Sequence, residues 1–170
     1  MKTQVWAHRG ASAYAPENTL EAFRLAAEMG ADGVELDVQL SRDGELVVAH
    51  DETIDRVSNG TGYIKDYTLA QLKKLSFNRL FPNFKDARIP TLKEVYELLK
   101  PARLTVNVEL KTGIILYPEI EEKVLALTAS MGMEDRGIYS SFCHPSLVRL
   151  KELDSGLKTG LLYSDGWIGA

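Results

Sequence analysis

The 170-residue chain carries one cysteine, Cys143, so it can form no internal disulfide and must draw its stability from a packed core. It has no run of eighteen consecutive apolar residues, which removes the sequence signature of a membrane-spanning helix. It has no excess of positive charge. Twenty Lys and Arg against 24 Asp and Glu give a formal net charge of −4, which argues against a general electrostatic role on nucleic acid or on an anionic bilayer. Internal repeats and low-complexity tracts are also lacking. The start, Met1-Lys2-Thr3-Gln4-Val5-Trp6, meets the charged pair His8-Arg9 too early for a signal-peptide core, and the expected compartment is the reducing cytoplasm, with no stable membrane anchor. Any anionic ligand therefore has to be held by a local site.

What is present reads as a single α/β domain over residues 1–170. A hydrophobic content of 45% and a charged content of 26% are those of an ordinary globular protein, and a chain of this size buries roughly 70% of its unfolded surface. Helices are expected from Asn18 as cap, with Glu21 reaching back, to Gly30. Others are expected over Leu69–Leu75 behind Thr68 and Gln71, and from Thr91 with Glu94 through Leu99 to the stop at Pro101. Two more are expected over Tyr117–Met131 and Pro145–Leu153. Strands are expected at Gln4–Ala7, Gly33–Leu40, Glu45–Ala49, Leu104–Leu110, Gly137–Ser141 and Lys158–Leu162. Strands alternating with helices imply crossovers and a parallel sheet. Residues 52–90 break that rhythm with Ser58-Asn59-Gly60-Thr61-Gly62 and the aromatics Tyr63, Tyr67, Phe77, Phe81 and Phe84. This segment is expected to be an insertion over the site end of the sheet, its aromatics forming a small core of their own rather than a substrate wall.

Two strands carry acids in strict alternation with apolar residues: Gly33-Val34-Glu35-Leu36-Asp37-Val38-Gln39-Leu40 and Leu104-Thr105-Val106-Asn107-Val108-Glu109-Leu110-Lys111. Successive strand side chains point to opposite faces, so Glu35 and Asp37 project together, as do Glu109 and Lys111. Strands covered by helices on both faces read as continuous apolar runs, and these do not. A polar face between helix-linked strands suits the interior mouth of a barrel, where chemistry gathers at the carboxyl ends of strands; His8, Asp37, His50 and Glu109 all fall there. Three crowded carboxylates stay ionised near neutral pH when a cation lies among them, and hard oxygen ligands select Ca²⁺ or Mg²⁺. The alternative is three solvated acids on exposed strand faces.

His8-Arg9-Gly10, Pro16-Glu17-Asn18-Thr19, Glu35-Leu36-Asp37, His50-Asp51 and Glu109-Leu110-Lys111, in that order, make the chain resemble the glycerophosphodiester phosphodiesterase family. Ser140-Ser141-Phe142 and Thr159-Gly160-Leu161-Leu162 extend the likeness. The resemblance implies a TIM-type (β/α)8 barrel, one divalent cation, and hydrolysis of a small glycerophosphodiester to glycerol 3-phosphate and an alcohol. Glu35, Asp37 and Glu109 would hold the metal. Arg9 would offer a planar fork and Lys111 a point charge to the phosphate. His8 and His50 would divide the acid and base work in an order left open, since imidazole serves either role near neutrality. Glu17 would brace the site. His144, beside Cys143, is expected to be a rim or packing residue.

Two other functions compete with this one: a phospholipase D-like hydrolase of lysophospholipid or sphingolipid headgroups, and an inactive metal- and phosphate-binding module. A complete barrel of this kind takes about 250 residues. Six expected strands before Asp165-Gly166-Trp167-Ile168-Gly169-Ala170 imply a truncated barrel, or a homodimer or swapped assembly in which two chains complete one another.

Overall fold

A computed structural model describes residues 3–164. The first two residues weighed against a signal peptide, and the terminal run that begins at Asp165, lie outside the described residues. Six strands form one sheet: β1 (Trp6–His8), β2 (Gly33–Leu40), β3 (Leu46–Val48), β4 (Thr105–Leu110), β5 (Gly137–Ser141) and β6 (Thr159–Leu161). Five of them run parallel in the order β1-β2-β4-β5-β6, with helices α1 (Leu20–Glu28), α3 (Leu92–Leu99), α4 (Ile120–Met131) and α5 (His144–Leu153) in the connections. This is an α/β sheet of the TIM-barrel type, open at β1 and β6 among the described residues. No helix there is long and apolar enough to cross a membrane.

The sixth strand corrects the all-parallel expectation. β3 pairs antiparallel with β2, Val38 opposite Val48 and Leu40 opposite Leu46. Only the five residues Ser41–Glu45 separate the two strands, whereas a parallel crossover needs a dozen or more. Arg42-Asp43 makes the turn, closed by the Gly44 amide donating to the Ser41 carbonyl, with Gly44 at φ +79°. The hairpin leaves β3 off the main path and carries the chain back along β2, so that the Ala49 amide meets the Asp37 carbonyl and His50 follows next to it.

The helix starts follow side-chain capping. Thr68 with Gln71, opening the short α2 (Leu69–Leu72), and Thr91 with Glu94, opening α3, form reciprocal capping boxes. α2 ends sooner than the expected Leu75 because Lys74 and Leu75 donate to the carbonyls of Gln71 and Leu72, tightening the chain into turns. α4 starts at Ile120 rather than Tyr117, since Pro118 disfavours helix at the residue before it and Glu119 takes φ +59°. At α1 the cap is Thr19, whose hydroxyl accepts from the Ala22 amide; Asn18 adopts φ +55° and turns its side chain elsewhere.

Val34, Leu36, Val38, Val106, Val108 and Leu110 point to the helix side of the sheet and pack with Phe23, Leu92, Val95, Tyr96, Ile120 and Leu150 into the main core. Fully burying a side chain of this kind stabilises by roughly 1.5–3 kcal/mol. The excursion's Ile54, Ile64, Leu72, Phe77 and Ile89 form a separate core with Val47 of β3 and Ala49. It is mostly aliphatic: Phe77 is its one buried aromatic, while Phe81 and Phe84 meet edge to face, ring centres 6.2 Å apart.

The loop after β1 is locked against α1. Gly10 has φ +76°, and a Cβ there would lie 2.7 Å from the carbonyl carbon of Ala22, a backbone atom that cannot step aside. Gly10→Ala is expected to lower unfolding free energy by roughly 2–4 kcal/mol in urea denaturation, from the combined backbone and packing strain. An unchanged midpoint would show that the loop carrying His8 and Arg9 is not held by this approach.

Candidate active site

The strand register assembles the site in rows on the face opposite the main core. His8, Glu35, Asn107 and Ile138 are partners across β1, β2, β4 and β5, and one step toward the carboxyl ends come Asp37, Glu109, Ser140 and Gly160. One carboxylate oxygen from each of Glu35, Asp37 and Glu109 lies within 4.8 Å of the others. Asp37 and Glu109 are buried and Glu35 is nearly so. At an effective dielectric constant of about 20, two unit charges at that spacing repel by roughly 3–4 kcal/mol.

Cations partly offset this repulsion. Lys111 Nζ lies 2.9 Å from Glu109 Oε1 and 3.7 Å from Asp37 Oδ1, and Arg9 Nε lies 3.6 Å from Asp37 Oδ2. Arg9 has φ +56°; its amide donates to the carbonyl and to Oε2 of Glu35, and its Nη1 donates to Glu17 Oε1. His8 Nε2 is 3.7 Å from Glu35 Oε2, on a largely exposed ring. Burial, the charge of Asp37 and the charge of Glu109 together push the Glu35 carboxyl up to about 8, against the lowering effect of the Arg9 amide.

The second histidine is reached by a chain of contacts. His50 Nδ1 is 2.6 Å from Asp51 Oδ1, Arg56 Nε donates to Asp51 Oδ2, and Arg56 Nη1 and Nη2 donate to the two oxygens of Glu17. Burial is the largest influence on the carboxyls of Glu17 and Asp51 and raises both, but the hydrogen bonds and charge of Arg56, joined by Arg9 at Glu17 and by His50 at Asp51, together outweigh it and hold both below the usual range. Backbone contacts anchor the same loop: the Ala49 amide donates to Asp37 O, and Gln39 Nε2 is within 3.2 Å of the carbonyls of Ala49, His50 and Asp51. Gln39 Oε1 in turn accepts from the Tyr117 hydroxyl. An open depression of about 450 Å³ beside the acids is lined by Glu52, Glu109, Lys111, Ile114 and Phe142. A second one, of about 410 Å³, lies away from them; Lys73 and Lys123, which line it, already contact Glu94 and the Gly44 carbonyl.

A cation suits the donor set. Glu35 Oε1, Asp37 Oδ1, Asn18 Oδ1 and Asn107 Oδ1 are buried oxygens with no hydrogen-bond donor, where buried acceptors are almost always satisfied. Such hard oxygens favour Ca²⁺ or Mg²⁺ over softer metals. Glu35, Asp37, Glu109, Arg9, Lys111 and His8 come together directly, and Glu17 and His50 join through Arg9, Arg56 and Asp51. His144 stays apart, its Nε2 against the Leu162 carbonyl and its ring against Tyr163. Sequence reasoning missed Asn18, Gln39, Asn107 and Arg56. Gln39 shares the parity of Glu35 and Asp37, and Asn107 that of Glu109, so the alternation already held those two. Asn18, read as a helix cap, instead donates from Nδ2 to Asp37 Oδ2 at 2.8 Å.

Comparison with known proteins gives a consistent result. The model of the glycerophosphoryl diester phosphodiesterase family matches residues 8–167. A protein of Caldanaerobacter subterraneus named glycerophosphodiester phosphodiesterase is 53% identical over 99% of this chain and 70% of its own. The solved glycerophosphodiester phosphodiesterase of Agrobacterium tumefaciens superposes with a TM-score of 0.84 at 38% identity, covering 93% of this chain and 66% of that one. An Oleispira antarctica phosphodiesterase, solved with the product sn-glycerol-3-phosphate, gives 0.81 at 34% identity over 94% and 65%. The chain thus spans about two thirds of the length of these relatives.

The Glu35 carboxyl binds its proton more tightly folded than unfolded, with a raised value of about 8 against an ordinary 4.5. Its contribution to stability is present below about pH 4.5 and is lost as the pH rises through about 8. The denaturation midpoint of the metal-free protein is therefore expected to fall across that window, and Glu35→Gln to flatten the fall. Equal pH dependence in wild type and Glu35→Gln would contradict the assignment.

Proposed function

The chain belongs to the glycerophosphoryl diester phosphodiesterase family, and from that membership we propose that it hydrolyses small glycerophosphodiesters to glycerol 3-phosphate and an alcohol. The observation that carries the reading is the three-carboxylate cluster with donorless oxygens, in register with His8 and flanked by Arg9 and Lys111. Glu35, Asp37 and Glu109 are proposed as ligands of one Ca²⁺ or Mg²⁺. When bound, such an ion supplies positive charge to the non-bridging oxygens of the phosphodiester.

The side chains account for the rest. Lys111 and Arg9 present positive charge beside the cluster for the phosphate, an arrangement that favours the charge developing in the transition state over the ground state. One of His8 and His50 takes the proton from the attacking oxygen; the other returns one to the departing alkoxide. His8 borders Glu35, and His50 is fixed by Asp51 and Gln39. Glu17 holds Arg9 toward the acids. The cytoplasm is the proposed compartment, since the lone Cys143 is not spent in an internal disulfide.

A second reading has its own observation. Ile114 and Phe142 expose apolar surface in the same depression as Glu109 and Lys111, which suits a substrate bearing an acyl chain, such as a lysophospholipid.

The test is a panel of glycerophosphocholine, glycerophosphoethanolamine and lysophosphatidylcholine, assayed with chelator and after restoring Ca²⁺ or Mg²⁺. Divalent-dependent release of glycerol 3-phosphate is expected from the glycerophosphodiesters; release of choline from lysophosphatidylcholine alone would select the second reading, and no turnover would contradict both. His8→Ala and His50→Ala are each expected to lower turnover by a factor on the order of 10²–10⁴ with metal affinity retained. Near-normal turnover in either variant would contradict the paired-histidine mechanism.

A further inference from the structure

Arg56 lies on the excursion, outside every motif quoted above and outside the residues assigned to metal, phosphate or proton transfer. Three of its donors nonetheless end on carboxylates of the site. Nη1 and Nη2 reach the two oxygens of Glu17 at 2.8 Å each, and Nε reaches Asp51 Oδ2 at 2.7 Å. The other oxygen of Asp51 faces His50 Nδ1 at 2.6 Å. Building on the proposed function, we propose that Arg56 is a positioning residue for His50: by occupying Oδ2 it turns Oδ1 of Asp51 onto Nδ1 and thereby leaves Nε2 as the proton-exchanging nitrogen.

An ionised carboxylate has no hydrogen to give, so the short contact at Nδ1 requires the ring hydrogen to sit there. A carboxylate rotates freely unless both oxygens are engaged, and the second engagement here is the Arg56 Nε–H. Bidentate pairing with Glu17 fixes the plane of the guanidinium, something a lysine at the same place could not do. The backbone of His50 is held independently by Gln39, itself fixed by Tyr117, so ring and main chain are anchored by separate partners. Glu17 then acts at both histidine-bearing ends of the site, through Arg9 near His8 and through Arg56 near His50.

Two other roles for Arg56 make different predictions. Direct binding of substrate phosphate would raise KM when the side chain is removed. An ion pair that merely ties the excursion to the loop after β1 would lower thermal stability without altering the imidazole.

The experiment compares wild type, Arg56→Ala, Arg56→Lys and Asp51→Asn. Its first readout is the ¹⁵N spectrum of labelled histidine rings above their titration range, with His50 identified by its loss in His50→Gln. Its second readout is steady-state kinetics. Wild-type His50 is expected to carry its hydrogen on Nδ1. Arg56→Ala should show a mixture of tautomers and a turnover lowered on the order of 10- to 100-fold with KM little changed, and Arg56→Lys should fall between the two. An unchanged His50 tautomer in Arg56→Ala, or a loss expressed entirely in KM, overturns the proposal. If Arg56→Ala unfolds, Arg56→Lys and Asp51→Asn carry the same comparison. A wild type without turnover would refute the functional reading, while the tautomer comparison would still decide the role of Arg56.

Discussion

Three carboxylates crowded on one face of adjacent strands repel one another, and most of the structure around them answers that repulsion. Glu35, Asp37 and Glu109 are brought within 4.8 Å by the parallel register of β2 and β4. That register is imposed from the other side of the sheet, where Val34, Leu36, Val38, Val106, Val108 and Leu110 are driven into the helix-covered core. A slip by one residue would exchange the faces and bury the acids in hydrocarbon, so the apolar pattern that folds the sheet also fixes the cluster. The core supplies the free energy, and the acids use part of it.

Compensation comes in layers. Lys111 arises two residues along the strand from Glu109, and Arg9 reaches Asp37 from a loop held by Gly10 against α1. Asn18 donates to Asp37, and the Arg9 amide donates to Glu35. Yet several oxygens still lack donors, and the Glu35 carboxyl is pushed up to about 8. A further positive charge at this place would relieve both the donorless oxygens and the raised carboxyl.

Much of this was legible in the sequence because it is local. Strand parity placed Glu35 with Asp37 and Glu109 with Lys111, and reciprocal caps placed α2 and α3. The antiparallel course of β3 was also local, in the turn former Asp43 followed by Gly44 and in a connection too short for a crossover, but the helix–strand rhythm elsewhere overrode that signal. Asn18 was read as a cap because its neighbourhood looks like one. The left-handed backbone that frees its side chain for Asp37 depends on a strand 19 residues away. Arg56 was invisible for the same reason: its partner Glu17 is 39 residues distant, and only the folded excursion brings them together.

Calorimetric titration of Ca²⁺ and of Mg²⁺ into metal-free protein addresses the central claim, that the cluster is completed by a divalent cation. One ion per chain is predicted, with binding abolished in the folded triple variant Glu35→Gln, Asp37→Asn, Glu109→Gln. No binding to the wild type, or undiminished binding to the triple variant, would contradict it.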